Sequence, residues 1–332
     1  MPSQPKSRSL SQVESLKAEK LPRLQTESNM DILIVKPSIE RIPIPDDKFH
    51  QLVKDVCAGK AIDERYGQIE DWDVSQVRDM SQAFEEQRDF NRDISRWNTS
   101  NVTRMISMFR YATSFNQPLN NWNVSNVITM HGIFANATSF DQPLNIWNVS
   151  KVTRMNGMFY KATSYNQSVN DWNVSNVTSM ESMFCHASSF NQPLNNWNVS
   201  NVTSMERMFH YAYSFNQLLN NWNVSNVTSM DYMFYKATSF NQPLTNWNVS
   251  NVTTIYGMFY HAMSFNQPLN DWNVSNVRTT NCMFDEAKSY NQPLCCWNLN
   301  HGCSRIFANG FNTLLIDNYS HRITNIAILC VA

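Results

Sequence analysis

Apolar residues recur along this chain with a spacing that changes partway through each 25-residue segment. In a representative segment, Leu194, Trp197 and Val199 form an L-x-x-W-x-V pattern, and its last two residues alternate as strand residues do. This pattern predicts a short strand. A proline such as Pro193 often stands just before it, which suits a strand entrance because proline lacks a backbone donor.

The apolar residues after this strand follow a different spacing. They fall three, three, one and three residues apart, which places them on one face of a short helix or helical turn, and that face should point inward: Val202, Met205, Met208, Phe209 and Ala212. Phe215 and Leu219 then bring the chain back to the next strand.

The tryptophans fix the phase of this pattern. All ten lie 25 residues apart and none occurs elsewhere: Trp72, Trp97, Trp122, Trp147, Trp172, Trp197, Trp222, Trp247, Trp272 and Trp297. Complete copies follow one another from Trp72 to Cys296 without insertion or deletion. Strict self-similarity at such a period predicts a repeat solenoid, with parallel β-strands on one side, short helical turns on the other and a cap at both ends.

Aromatic residues at fixed repeat positions should stack from copy to copy as a core. The tryptophans form one such column, and a phenylalanine series forms another: Phe84, Phe109, Phe134, Phe159, Phe184, Phe209, Phe234, Phe259 and Phe284. The alternative is that the tryptophans are an exposed platform for sugars or bases.

Asparagine is abundant at fixed repeat positions, whereas the chain has only seven glycines. Because asparagine tolerates left-handed backbone conformations, we expect it to make the bends between segments and to form ladders of side-chain amides. Several asparagines also begin Asn-x-Ser/Thr sequons, so glycosylation is the alternative explanation of their recurrence: Asn123, Asn148, Asn173, Asn198, Asn223, Asn248 and Asn273.

Four segments are predicted from these patterns. Residues 1–45, rich in Ser, Lys, Glu and Pro, are expected to be a disordered N-terminal arm without a signal peptide or membrane-spanning stretch. Residues 46–65 are expected to form a capping helix that begins at Asp46 or Asp47 and stops at Gly59. Residues 66–296 form the solenoid of nine repeats, and residues 297–332 a degenerate repeat and C-terminal cap.

Composition argues against several functions. Lys and Arg number 26 against 27 Asp and Glu, so no broad positive charge favours nucleic acid. The seven cysteines lack paired metal-ligand spacing, so we expect no metal and no cofactor. The uninterrupted repeats contain no catalytic motif and no inserted loop that could hold a small-molecule substrate, and they favour a non-enzymatic protein.

The unit W-N-V-S-N-V-T-S-M-x-x-M-F, followed by S-F-N-Q-P-L, resembles the repeat of the BspA-like leucine-rich-repeat surface proteins, which are abundant among mycoplasma lipoproteins. The resemblance covers residues from Tyr66 to Leu315. It implies a leucine-rich-repeat-like solenoid, display at the cell surface, and adhesion or binding to host or matrix proteins. Because residues 1–23 show no signal sequence or lipoprotein anchor, an intracellular or virion-associated location stays open.

Variation among the copies concentrates around the predicted helical turn and brings in tyrosine and histidine. We predict that these residues form a partner-binding face, since tyrosine gives large contact area at little entropic cost: Tyr111, Tyr160, His186, His210, Tyr211, Tyr235, Tyr260 and His261. The expected partner is a protein of unknown identity. One alternative is that recent duplication placed these rings there. Another is a structural rod or spacer in a virion or cell envelope, self-associating through its ends or strand edge.

Overall fold

The structure, a computed structural model, describes residues 40–294 and 296–297. Across these residues the chain is a stack of 25-residue coils, and we number positions from each tryptophan, which is position 1. Coil 1 begins at Trp72, coil 5 at Trp172 and coil 6 at Trp197. The helices in the described ranges are α1, Phe49–Cys57, and a short 3-10 helix, Ile69–Asp71. Neither has the length and apolarity needed to span a bilayer.

Contact between coils is parallel, but the predicted strand at L-x-x-W-x-V is wrong. The Trp197 N–H donates to the Leu194 carbonyl and the Val202 N–H to the Val199 carbonyl, so this segment consists of turns. Isolated parallel bridges lie instead at position 8 of successive coils, one residue each: Asp79, Arg104, Thr129, Arg154, Ser179, Ser204, Ser229, Thr254 and Thr279. The apolar side chains of the segment do point inward, as the pattern predicts.

The predicted helical turn is also wrong, because the backbone of this segment is not helical. The predicted inward-facing side chains are nevertheless correct. Val202, Met205, Met208, Phe209 and Ala212 are all fully buried. Their segment is a run of turns, in which the Met208 N–H donates to the Met205 carbonyl and the Ala212 N–H to the Phe209 carbonyl. Turns closed by such bonds bring every third residue to one side, so their apolar spacing is close to that of a helix.

Residues in the left-handed backbone conformation interrupt this segment, so it cannot form a continuous helix. Positions 11 and 15 have positive φ in every coil, for example Arg207 at 55° and Tyr211 at 58°. The N–H groups at these positions donate to the next coil: Arg207 N–H to the Asp231 carbonyl, and Tyr211 N–H to the Tyr235 carbonyl. A left-handed residue other than glycine costs about 1–3 kcal/mol and persists only where its surroundings fix it. The bonds between coils provide that constraint.

Asparagine makes bends and ladders as predicted, but not through left-handed backbone conformations, and the ladders do not use the sequon asparagines. Among the residues in left-handed conformation, Asn136 is the single asparagine of the described ranges. The sequon asparagines make local turns, as where the Ser125 N–H donates to the Asn123 side-chain oxygen. Ladders between coils are carried by other positions: the Asn216 N–H donates to the Asn191 side-chain oxygen, as does the Gln217 amide.

Aromatic columns fill the core, as predicted. Trp197 and Trp222 stack with ring centroids 6.3 Å apart and planes within 3° of parallel. Phe184 stacks on Phe209 of the next coil at 5.8 Å and on Phe190 of its own coil at 3.9 Å. From Trp97 onwards each indole N–H donates to the carbonyl 28 residues earlier in the chain, as from Trp222 to the Leu194 carbonyl at 3.0 Å.

The helix α1 packs over the first coils through Phe49, which is buried and meets the Trp97 ring edge-on at 5.8 Å. Gly59 ends the helix with a φ of 68°, as predicted. The expected capping by Asp46 or Asp47 is wrong, because Lys48 holds the N-cap without a side-chain bond. The Asp46 carboxylate instead accepts from the Arg78 backbone N–H at 2.7 Å and so ties the helix to coil 1.

Residues 40–45, assigned above to the disordered arm, are ordered in the structure. Ile44 is fully buried and its N–H donates to the Asp73 carbonyl at 2.7 Å. Residues 1–39 lie outside the described residues, and so does the predicted C-terminal cap after Trp297. Four of the seven cysteines lie in the described part of the chain: Cys57, Cys185, Cys282 and Cys296.

Candidate protein-binding face

The turns at positions 14 and 15 align side chains from one coil to the next. The position 15 N–H donates to the position 14 carbonyl of the following coil, as from His186 to His210 at 2.7 Å. Variable side chains at these positions therefore meet across coils. We call the resulting surface the aromatic face, which consists of Tyr160, His186, His210, Tyr211, Tyr235, Tyr260 and His261.

Ring contacts connect the whole aromatic face. His186 stacks on Tyr211 with centroids 4.3 Å apart, His210 stacks on Tyr235 at 4.7 Å, and Tyr235 stacks on Tyr260 at 4.6 Å. Edge-on contacts join Tyr160 to His186 and His186 to His210. All seven side chains are half-buried, so each ring keeps part of its surface exposed. His186 and His210 are therefore adjacent across two successive coils.

Tyr111, which the sequence grouped with these residues, is separate from the aromatic face. The coil between them carries Ala135 and Asn136 at positions 14 and 15, so the column of rings is interrupted. The neighbour that contacts the Tyr111 ring is the Arg110 guanidinium, 5.0 Å from its centroid.

Three aromatic residues next to the aromatic face were not among the predicted site residues. Tyr232 contacts the rings of Tyr235 and Tyr256, at 5.6 and 5.0 Å. Tyr213 contacts Tyr211 at 5.8 Å and is 43% exposed. Tyr232 and Tyr256 occupy the variable positions 11 and 10, and comparison of the copies already places both in the variable stripe around the predicted helical turn. Tyr213 lies at position 17, which alignment gives no reason to select.

Cations lie over several of these rings. The Lys236 ammonium is 4.8 Å from the Tyr211 centroid and donates to the Tyr211 hydroxyl at 3.1 Å. That hydrogen bond raises the pKa of Lys236. The Arg207 guanidinium lies 5.3 Å from the centroid of Tyr232. These contacts place positive charge among the exposed ring surfaces.

Carboxylates at position 10 flank the aromatic face on neighbouring coils, at Glu181, Glu206 and Asp231. Partial burial raises the pKa of Glu206; Arg207 counteracts that shift, and the charges of Asp231 and Glu181 add to it. The surface thus combines aromatic rings and an arginine, which are enriched at protein interfaces, with a lysine and a flanking row of acids.

Cys185 adjoins the aromatic face, and its Sγ lies 3.5 Å from Nδ1 of His210. A cysteine next to a histidine raises the question of nucleophilic chemistry, which requires a thiolate. Burial raises the pKa of the Cys185 thiol to about 12, and burial lowers the pKa of His210 to about 3. Both groups are therefore neutral at pH 7, and the pair lacks the activated thiolate of a nucleophilic cysteine.

The tryptophan platform considered above is excluded for the described residues. Every tryptophan is only 2–3% exposed, and its indole N–H is bonded to a backbone carbonyl. No ring face is available to a sugar or a base.

Among solved structures, a similar chain is that of the "Crystal structure of TLR13-ssRNA13 complex", with 11% identity and a TM-score of 0.23. The match covers 72% of this chain and 41% of that one, so this chain spans about two fifths of its length. We draw no argument from a similarity of this size. No protein of curated function matches the sequence.

Three overlapping parts of the chain match one family, at residues 56–162, 142–237 and 217–315. Together they run from residue 56 to residue 315 and include the whole coil array. The family's description is "Mycoplasma protein of unknown function, DUF285". The chain therefore belongs to the DUF285 family of repeat proteins.

Proposed function

We propose that this protein is a non-enzymatic binding protein that holds a protein partner on the aromatic face of a leucine-rich-repeat-like solenoid. The single observation that carries the proposal is the connected, half-exposed set of rings from Tyr160 to His261 above a uniform core. Variation concentrates at side chains around the turns that leave the coil, so the surface can change while the stack stays nearly the same.

The chemistry of the aromatic face supports a protein as the partner. Tyrosine rings that already stack on one another lose little side-chain entropy on binding. Lys236 and Arg207 supply cations among the rings, and Glu206 supplies an acidic flank. The resemblance to BspA-like surface proteins supports the further proposal that the partner is a host or matrix protein and that binding serves adhesion.

Substitution of tyrosine by serine on the aromatic face tests the proposal. Tyr160, Tyr235 and Tyr260 all occupy position 14 and contribute to the ring contacts. We expect the triple serine variant to lose partner capture in a pull-down while its thermal unfolding midpoint stays close to that of the wild type. Tyr111→Ser is the matched control, because it removes a tyrosine outside the aromatic face.

A photo-cross-linking amino acid at residue 235 identifies the contact directly. We expect it to cross-link the captured partner, whereas the same amino acid at residue 111 should not. If the triple variant captures the partner as well as the wild type does, the rings merely pack on the surface and the proposal fails. Self-association that depends on the ends of the chain and survives the triple variant would favour the structural rod instead.

A further inference from the structure

Three side chains capable of binding a metal meet at the aromatic face. Cys185 and His186 are neighbours in coil 5, and His210 comes from coil 6. One ligand atom of each, the Cys185 Sγ and a ring nitrogen of either histidine, lies within 4.8 Å of the others. In the part of the chain that the structure describes, this is the one group of three or more His, Cys, Asp or Glu side chains with such a geometry.

We propose that Cys185, His186 and His210 bind a single Zn²⁺ ion. Tetrahedral zinc has Zn–S and Zn–N bonds of about 2.3 and 2.1 Å, which place a sulfur and a nitrogen ligand about 3.6 Å apart. The distance from Cys185 Sγ to His210 Nδ1 is 3.5 Å. The remaining pairs of ligand atoms lie within 4.8 Å of one another, so the ion would draw them closer on binding. Three protein ligands leave the fourth position to water.

Burial affects the three ligands in opposite ways, because it favours the neutral form in which histidine binds zinc and opposes the thiolate form of Cys185. Burial lowers the pKa of both histidines, so each has a free nitrogen lone pair at neutral pH. Burial raises the pKa of the Cys185 thiol, so its proton leaves to solvent only when the metal binds, and the thiolate then neutralises one of the two positive charges of the ion. Lys161 and Arg207 oppose a cation, and we therefore expect weaker binding than at a four-cysteine site.

The surrounding packing holds the ligands in place. Tyr211 stacks on the His186 ring within 9° of parallel, and Tyr235 stacks on the His210 ring. The backbone bond from His186 N–H to the His210 carbonyl joins the two coils at the same point. Ligands whose ring orientations are fixed in advance lose less entropy when the ion binds. The site belongs to the coil architecture and requires no partner.

Cobalt titration of the full chain, treated first with a chelator, tests the site, because Co²⁺ substitutes for Zn²⁺ and absorbs in the near ultraviolet when a thiolate is a ligand. We expect the wild type to show this band, to lose it when Zn²⁺ is added, and to bind one more ion per chain than Cys185→Ala does. His210→Tyr and His186→Asn should each weaken Co²⁺ binding by at least about tenfold.

These substitutions use residues that other coils carry at the same positions. Ala135 and Tyr160 occupy position 14, and Asn136 occupies position 15, so each variant keeps a side chain that the turn accommodates. His261→Asn and Cys282→Ser are matched controls outside the cluster and should bind like the wild type. If Cys185→Ala retains the cobalt band and the wild-type stoichiometry, there is no metal site, and the 3.5 Å contact is a thiol–imidazole hydrogen bond.

Discussion

At the scale of the residue, the same position of successive coils can be compared, because each position recurs in a nearly constant environment. Position 19 carries phenylalanine in most coils and tyrosine in two, at Tyr165 and Tyr290. The Tyr165 ring stacks on Phe159 at 4.0 Å, as the phenylalanines of this column do in their own coils. Its hydroxyl is buried without a hydrogen-bond partner, which penalises the folded state.

Replacing Tyr165 by phenylalanine should therefore stabilise the protein. We expect the free energy of unfolding to rise by about 1 kcal/mol, since the ring contacts stay and the unsatisfied hydroxyl is removed. Urea denaturation of the two proteins measures the difference. Phe190→Tyr, the reverse change in the next coil, should lower stability by a similar amount. A loss of stability in Tyr165→Phe would mean that the hydroxyl has a partner.

His210 should make stability depend on pH. Its pKa falls from 6.5 in the unfolded chain to about 3 in the folded one, mainly because the ring is buried. Between these values the unfolded chain binds the proton and the folded chain does not, so stability decreases as pH falls from about 6.5 to about 3. His210→Tyr should reduce that decrease, measured by denaturant titrations with a chelator present. An identical pH dependence in the variant would contradict the buried, neutral histidine.

At the scale of the element, the repeating unit is a turn. One backbone hydrogen bond closes the turn within its coil, and another joins it to the next coil. Gly157 shows the conformational demand, with a φ of 58° and its N–H bonded to the Glu181 carbonyl. A Cβ at this glycine would meet only ordinary contact, 3.7 Å from the Tyr160 Cβ. A substitution therefore tests the backbone conformation and not the packing.

Gly157→Val should destabilise the protein by about 1–3 kcal/mol, because a β-branched residue strongly disfavours positive φ. Gly157→Ser should cost less, since Ser107 and Ser182 adopt this conformation at the same position. Thermal unfolding of both variants provides the comparison. Equal stability of the valine and serine variants would show that position 11 is not left-handed.

The sequence predicted which residues face inward but not the backbone that places them. Val202, Met205 and Phe209 are buried as expected, because a run of turns and a helix share nearly the same apolar spacing. The sequence did not indicate which residues are left-handed, because Arg207 and Tyr211 stand where glycine usually occurs. The bridges at position 8 depend on the alignment of two coils, which no local pattern reveals.

The candidate site was predictable to a similar degree. Alignment of the copies selected positions 14 and 15, and the structure brings seven of the eight residues together: Tyr160, His186, His210, Tyr211, Tyr235, Tyr260 and His261. Cys185 was overlooked because its contact with His210 crosses from one coil to the next, 25 residues away. Reading each position across neighbouring copies would have found this pair, whereas a search for paired cysteines along the chain could not.

At the scale of the whole molecule, constant and variable positions have separate tasks. The stack is stabilised by the aromatic columns and by bonds from each coil to the next, and the aromatic face is added at positions those contacts leave free. Because each coil touches mainly its neighbours, a change on the aromatic face should leave distant coils intact. The tryptophans belong to the stack, and this assignment separates a structural column from a binding surface.

Hydrogen exchange of the indole N–H groups, followed by NMR, tests that assignment most directly. From Trp97 to Trp297 each indole N–H donates to the carbonyl 28 residues earlier in the chain, at 2.7–3.1 Å, whereas Trp72 has a longer bond of 3.3 Å to Gly67. The structure predicts slow exchange for the indoles of the central coils and faster exchange for Trp72. Rapid exchange at Trp172, Trp197 or Trp222 would contradict a tryptophan core.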